Sequence, residues 1–179
     1  GSVVNFTGKF QEAMFFDSVG DFVNISGSSM ANFTGGLTIE TWVYPIGNPR
    51  DWEGIVYKSN GSTYTFSLRR NNIEGSYAIG FGLNGGGSLL DGGAATRVNS
   101  NEWTHVAATY DNSNLRIYLN GIERASQSYT TPISVGVGDI VISNVDSLRF
   151  NGTIEELAIW NQSLSADKKS EGLVSTTQK

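Results

Sequence analysis

The chain has 179 residues, 39% of them hydrophobic, with 22 glycines, no cysteine and a formal net charge of -5. That is one domain's worth of chain with enough apolar residues to fill a core, and the missing cysteine removes disulfides, thiol catalysis and thiolate-bound zinc. An acidic chain whose only basic pairs are Arg69-Arg70 and Lys168-Lys169 lacks the electrostatic footprint of a nucleic-acid binder, and no apolar run approaches the roughly 18 residues of a membrane span.

Short apolar runs separated by Gly and Asn predict strands over residues 12–16, 21–25, 37–45, 54–58, 63–70, 75–83, 94–98, 103–110, 114–119, 122–127, 138–143 and 151–160. The pattern is clearest in the middle of the chain. Val106, Ala108 and Tyr110, then Leu115, Ile117 and Leu119, alternate with polar residues, while Asp111-Asn-Ser-Asn114 and Asn120-Gly121 carry turn chemistry. The expected core includes Trp42, Val43, Val106, Ala108, Ile117, Leu119, Leu157 and Ile159. The only helical signal follows Ser163, so an all-β domain over residues 3–172 is expected, with at most a short C-terminal helix and a polar tail at 173–179.

Several motifs bear on chemistry. Gly80-Phe-Gly-Leu-Asn-Gly85 satisfies G-x-G-x-x-G, but Gly86, Gly87 and Ser88 follow where a dinucleotide site needs a helix N-terminus. The stretch reads instead as a strand with Tyr77, Ile79, Phe81 and Leu83 on one face, ending in a Gly-rich loop. His105, the only histidine, shares a strand face with Trp103, Ala107 and Thr109, which favours packing over catalysis. No Gly-x-Ser-x-Gly nucleophile elbow occurs. Glu155 and Glu156 are adjacent, so an extended strand points them to opposite faces rather than pairing them across a glycosidic bond. No catalytic residue is assigned, and the domain is expected not to be an enzyme.

Four segments in order, Phe16–Val23, Leu37–Pro45, Trp103–Gly121 and Phe150–Trp160, resemble the laminin G-like members of the concanavalin A-like lectin/glucanase superfamily. The resemblance runs from about Lys9 to about Lys169. It implies a jelly-roll β-sandwich of two antiparallel sheets. It implies no single activity, because members include lectins, adhesion modules, accessory domains and enzymes.

Asp17 and Asp21 flank a Ser-Val-Gly turn whose carbonyls suit a hard cation. The resemblance implies that the first strands lie beside the last, where Glu155 of Gly152-Thr-Ile-Glu-Glu156 replaces the family's usual Asp. A structural calcium ion held by Asp17, Asp21 and Glu155 is therefore expected; the alternative is that the aspartates only close the turn and Glu155 is solvated. Glycan recognition needs an aromatic platform beside planar polar groups. Asp51 and Trp52, in a loop opened by Gly47-Asn-Pro-Arg50, supply those types, with Arg69, Asn71 and Asn72 at the next loop and Asp91 with Arg97 beyond the Gly-rich stretch. Trp42, Trp103 and Trp160 match strand motifs and are expected in the core, and Trp52 is either a platform or a loop anchor.

The function expected from this set is a non-catalytic carbohydrate-binding or adhesion module of a larger exported or cell-surface protein, with a glycan or a cell-surface protein as partner. The alternative is a structural domain that contacts proteins through its loops or a sheet face. Asn-x-Ser/Thr sequons at Asn5, Asn24, Asn32, Asn60, Asn151 and Asn161 fit either turn chemistry or a glycosylated surface.

Overall fold

Strand alternation sorts the apolar residues onto two facing surfaces, and the computed structural model shows both. It describes residues 4–10, 12–26, 33, 35–47, 52–73, 76–86, 88–144 and 148–165. One sheet has seven strands in the order β1 (Val4–Thr7), β2 (Glu12–Asp17), β13 (Asn151–Trp160), β4 (Leu37–Pro45), β9 (Thr104–Tyr110), β10 (Asn114–Leu119) and β11 (Ile122–Ser128). The other has six, β3 (Val23–Ile25), β12 (Ile140–Ile142), β5 (Glu53–Ser59), β6 (Tyr64–Ile73), β7 (Ser76–Leu83) and β8 (Ser88–Asp91). Every paired neighbour is antiparallel.

Leu37, Ile39 and Val43 of β4, Val106 and Ala108 of β9, and Ile117 of β10 meet Val56, Phe66, Leu68, Ile79 and Phe81 of the opposite sheet in one cluster, all fully buried. Each large apolar side chain there contributes about 1.5–3 kcal/mol through burial. The central hairpin follows its turn residues. Asp111 Oδ1 accepts the Ser113 and Asn114 N–H groups at 2.9 and 2.7 Å, which sets Leu115 opposite Tyr110 and Leu119 opposite Val106. Asn120 and Gly121 both take positive φ, 50° and 79°, the left-handed pair that a tight hairpin requires.

Four expectations differ from the structure. Residues 94–98 form no strand: Gly93–Thr96 is a 3-10 turn, held by Thr96 Oγ1 donating to Ile79 O at 2.9 Å, and Arg97 makes one isolated bridge to Ala78. The chain after Gly86 pairs again as β8, and residues 4–7 add β1 at the other sheet's edge. Leu157 and Ile159 are partly buried at the cluster's margin rather than inside it. The three strand tryptophans are outside the inter-sheet core, on the outer face of the seven-stranded sheet: Trp42 packs on Phe10 and His105, Trp103 on Tyr44, and Trp160 is 43% exposed while its Nε1 donates to Glu40. The segment proposed as a C-terminal helix lies outside the described residues from 166 onward.

Candidate functional site

The outer face of the six-stranded sheet gathers most of the polar candidates. Across β5, β6, β7 and β8, Gly54 pairs with Arg69, Arg69 with Gly80, and Gly80 with Asp91, so Arg69 and Asp91 stand on one row with glycine between them. Ser67 and Asn71, two residues to either side of Arg69, share its face. A bulge adds an aromatic ring. Lys58 pairs with Phe66 and Ser59 with Tyr64, which leaves Thr65 as the extra residue and breaks the alternation of β6. Tyr64 thereby covers Gly82, where a Cβ would stand 2.8 Å from its hydroxyl and 3.2 Å from Ser67 Oγ.

Arg69 lies between two aromatic side chains. Its Cζ is 4.6 Å from the Tyr64 ring centroid and 5.7 Å from that of Trp52, and its Nε donates to Ser67 Oγ at 3.0 Å. Such stacking contributes about 0.5–2 kcal/mol, depending on desolvation. Its shielded Nη2 has no hydrogen-bond acceptor among the described residues.

Trp52 is half-buried and adopts φ 65°, an uncommon backbone state for a bulky residue. A relay of hydrogen bonds holds it there. The Trp52 N–H donates to Asn71 Oδ1 at 3.3 Å, Asn71 Nδ2 donates to Asp91 Oδ2 at 3.4 Å, and Asp91 Oδ1 accepts the Gly93 N–H at 3.1 Å. Asn71 is only 3% exposed. With both ends of its buried amide bonded, it ties Trp52 to Asp91.

Beneath this surface Arg70 points inward and is fully buried. Its Nη1 is 3.5 Å from Glu53 Oε2, and its Nη2 donates to Gly47 O and Ser100 Oγ at 3.0 and 2.8 Å. Burial pulls the guanidinium below its ordinary pKa while Glu53 opposes that shift. Glu53 directly follows Trp52, so the pair fixes the start of β5 next to that ring.

The structure thus brings together Trp52, Arg69, Asn71 and Asp91 and adds Tyr64 and Ser67. Asn72, paired with Tyr77, is exposed and alternates away from Asn71. Arg97 stands apart, with its Cζ 5.7 Å over Tyr77, and lines a different cleft. Asp51 lies outside the described residues. With Asn71 buried as the tie between them, the half-buried Trp52 ring, the Arg69 cation and the Asp91 carboxylate can stack an apolar ring face and hydrogen-bond hydroxyl groups of either polarity.

The three carboxylates expected to share an ion are not brought together. Asp17 pairs with Asn151, whereas Glu155 is four residues farther along β13, about 13 Å at roughly 3.3 Å per residue. Glu155 is 3% exposed and is held by the backbone N–H groups of Lys9 and Phe10, the latter at 2.9 Å. At the turn itself, Asp17 Oδ1 accepts the Val19 N–H at 2.7 Å and Asp21 Oδ2 accepts the Asp17 N–H at 3.4 Å. Asp21 is 3% exposed, and its buried Oδ1 has no hydrogen-bond partner among the described residues. No three His, Asp or Glu side chains converge as metal ligands among the described residues.

Two packed antiparallel sheets with a polar and aromatic sheet face define a lectin-type β-sandwich. The family model described as the concanavalin A-like lectin/glucanases superfamily, Laminin_G_3, matches residues 6–168, and the chain belongs to that family. No curated protein matches the chain in sequence. Among solved structures it is similar to domain 4 of AbnA, an extracellular arabinanase from Geobacillus stearothermophilus, solved in complex with arabinotriose. That match has a TM-score of 0.76 and 17% identity over 96% of this chain and 81% of the other. It is also similar to the CBM40 of the Ruminococcus gnavus IT-sialidase bound to α2,3 sialyllactose, with a TM-score of 0.70 and 16% identity over 96% and 99% of the two chains. A pentraxin from Limulus polyphemus matches with a TM-score of 0.63 and 16% identity over 83% and 79%. These likenesses are of fold.

Proposed function

We propose that this domain is a non-catalytic carbohydrate-binding module that lays a saccharide against the outer face of the six-stranded sheet. The observation that carries the reading is the Trp52, Arg69 and Tyr64 stack set beside the Asn71–Asp91 relay. Trp52 offers a ring face for the C–H side of a sugar, while Asp91 accepts from hydroxyl groups and Arg69 donates to them. The arabinanase domain and the CBM40 support the class, since both were solved with a saccharide on this fold. The parent is a larger exported or cell-surface protein in this reading, so the module acts outside the cell by holding that parent to a glycan.

A calcium ion at the Asp17–Asp21 turn belongs to the same reading, as a structural ion that uses the unsatisfied Asp21 Oδ1 and turn carbonyls without Glu155. It is separate from the saccharide surface. The function is tested on a glycan array with the purified domain, followed by titration of the best ligand into wild type and Asp91→Asn. The expected result is selective binding to a saccharide class, weakened about tenfold by the substitution, or 1.4 kcal/mol. Silence across the array, with capture of a defined surface protein through the exposed Val19 and Phe22 at the β2–β3 loop, would instead support the protein-contact alternative.

A further inference from the structure

A polar cleft of about 240 Å³ opens where the 3-10 turn after β8 meets the other sheet, and Arg97, Arg124, Asn99, Glu102, Thr104 and Asn120 are among its lining residues. Its two arginines come from opposite sides of the sandwich. Arg97 follows the turn that closes on β7, and Arg124 is on β11 at the edge of the seven-stranded sheet. Gly92 permits their approach: a Cβ there would stand 2.9 Å from the Ala125 Cβ and collide with the Thr96 side chain, so a larger residue would push the turn away from β11.

The charge in this cleft is unbalanced. Arg70 faces Glu53, and Arg116 faces Asp111 and Glu123, but Arg97 and Arg124 are exposed and form no ion pair among the described residues. The one carboxylate lining the cleft, Glu102, accepts Asn99 Nδ2 at 2.9 Å through Oε2. Asn120 Oδ1 accepts the His105 backbone N–H at 2.9 Å, which leaves its Nδ2 as the group that can donate to a ligand in the cleft. Glu102 keeps its charge, so the cleft sets two guanidinium groups against one carboxylate, a net positive site beside an amide donor in a chain of net charge -5.

We propose that this cleft is an oxyanion subsite, separate from the Trp52 surface, which takes a single carboxylate or sulfate group between Arg97 and Arg124. Guanidinium groups match such oxygens through paired, charge-assisted hydrogen bonds. Tyr77 steadies Arg97 from behind, at 5.7 Å from ring centroid to Cζ. The subsite does not depend on saccharide binding at Trp52, so either can fail alone.

The test follows arginine Nε–Hε NMR signals of the intact domain during titration with sodium sulfate, glucuronate or glucose. Saturable shifts at Arg97 and Arg124 are expected with sulfate, glucuronate or both, which tells a free oxyanion from a sugar acid, and glucose should leave them unmoved. Arg116, paired with Asp111, serves as the internal control and should not respond. Arg97→Gln combined with Arg124→Gln should lower affinity about tenfold or more, and added sodium chloride should weaken binding in wild type. No saturable shift with either anion, or shifts of equal size at Arg116, would overturn the proposal. If the double variant fails to fold, the wild-type signals alone decide.

Discussion

Acidification should expose the cost of burying His105. The imidazole is on the outer face of the seven-stranded sheet, 2% exposed, with its ring 5.3 Å from Trp42 and its Nε2 3.7 Å from Glu40 Oε2. Its Nδ1 is shielded and has no hydrogen-bond partner among the described residues. Desolvation lowers its pKa from 6.5 to about 4. The folded chain therefore resists a proton that the unfolded chain accepts below pH 6.5. Stability is fully present above 6.5 and is lost as pH falls toward 4, with a slope of about 1.4 kcal/mol per pH unit. Between pH 7 and pH 5 the loss through this one group is about 2 kcal/mol. Urea denaturation at both pH values, for wild type and His105→Gln, isolates it because the variant keeps Glu40 and the other titrating groups. Wild type should lose about 2 kcal/mol more than the variant over that interval. Equal losses would refute the claim that His105 is held neutral by burial.

Three further outcomes follow from the packing. Glu53→Ala leaves the buried Arg70 guanidinium without its counter-charge and should cost about 3–5 kcal/mol, read as a Tm lowered by roughly 6 °C or more; an unchanged Tm would show that Arg70 does not depend on Glu53. Gly82→Ala should displace Tyr64 and with it Arg69, at about 1–3 kcal/mol, and change the near-UV circular dichroism; an unaltered spectrum and stability would contradict the close contact. Calcium at about 100 times its Kd should add about 2.7 kcal/mol to stability in wild type and nothing in Asp21→Asn. No thermal shift with calcium in the wild-type protein would eliminate the Asp17–Asp21 site.

The hairpins were legible because their determinants are local. Asp111 closes its own turn through two side-chain acceptor bonds, and Asn120-Gly121 is compatible with few other backbones. The side on which each tryptophan lies was not. Trp42 alternates with the core residue Val43, but the outer face is itself covered: Phe10 meets Trp42 edge-on at 5.5 Å and Lys9 Nζ lies 4.5 Å over its ring. Periodicity shows that two faces differ, not which one meets the second sheet. Trp52, Arg69, Asn71 and Asp91 could be picked out by residue type, whereas Tyr64 could not, because its place on the same surface depends on the bulge at Thr65. Glu155 was misleading for a related reason. The family resemblance put the last strand beside the first ones, which holds, but the register puts Glu155 four residues past the partner of Asp17, where the N–H groups of Lys9 and Phe10 hold it.

The saccharide surface is tested most directly by comparing two tryptophans that both have access to solvent. Trp52 lies against Arg69, while Trp103 packs 5.4 Å from Tyr44 beside a hollow of about 340 Å³ on the opposite sheet. Calorimetric titration of the strongest array ligand into wild type, Trp52→Ala and Trp103→Ala should show Trp52→Ala binding about tenfold or more weakly, with Trp103→Ala close to wild type. Undiminished binding by Trp52→Ala, or loss confined to Trp103→Ala, would contradict the assignment and move the site to the seven-stranded sheet.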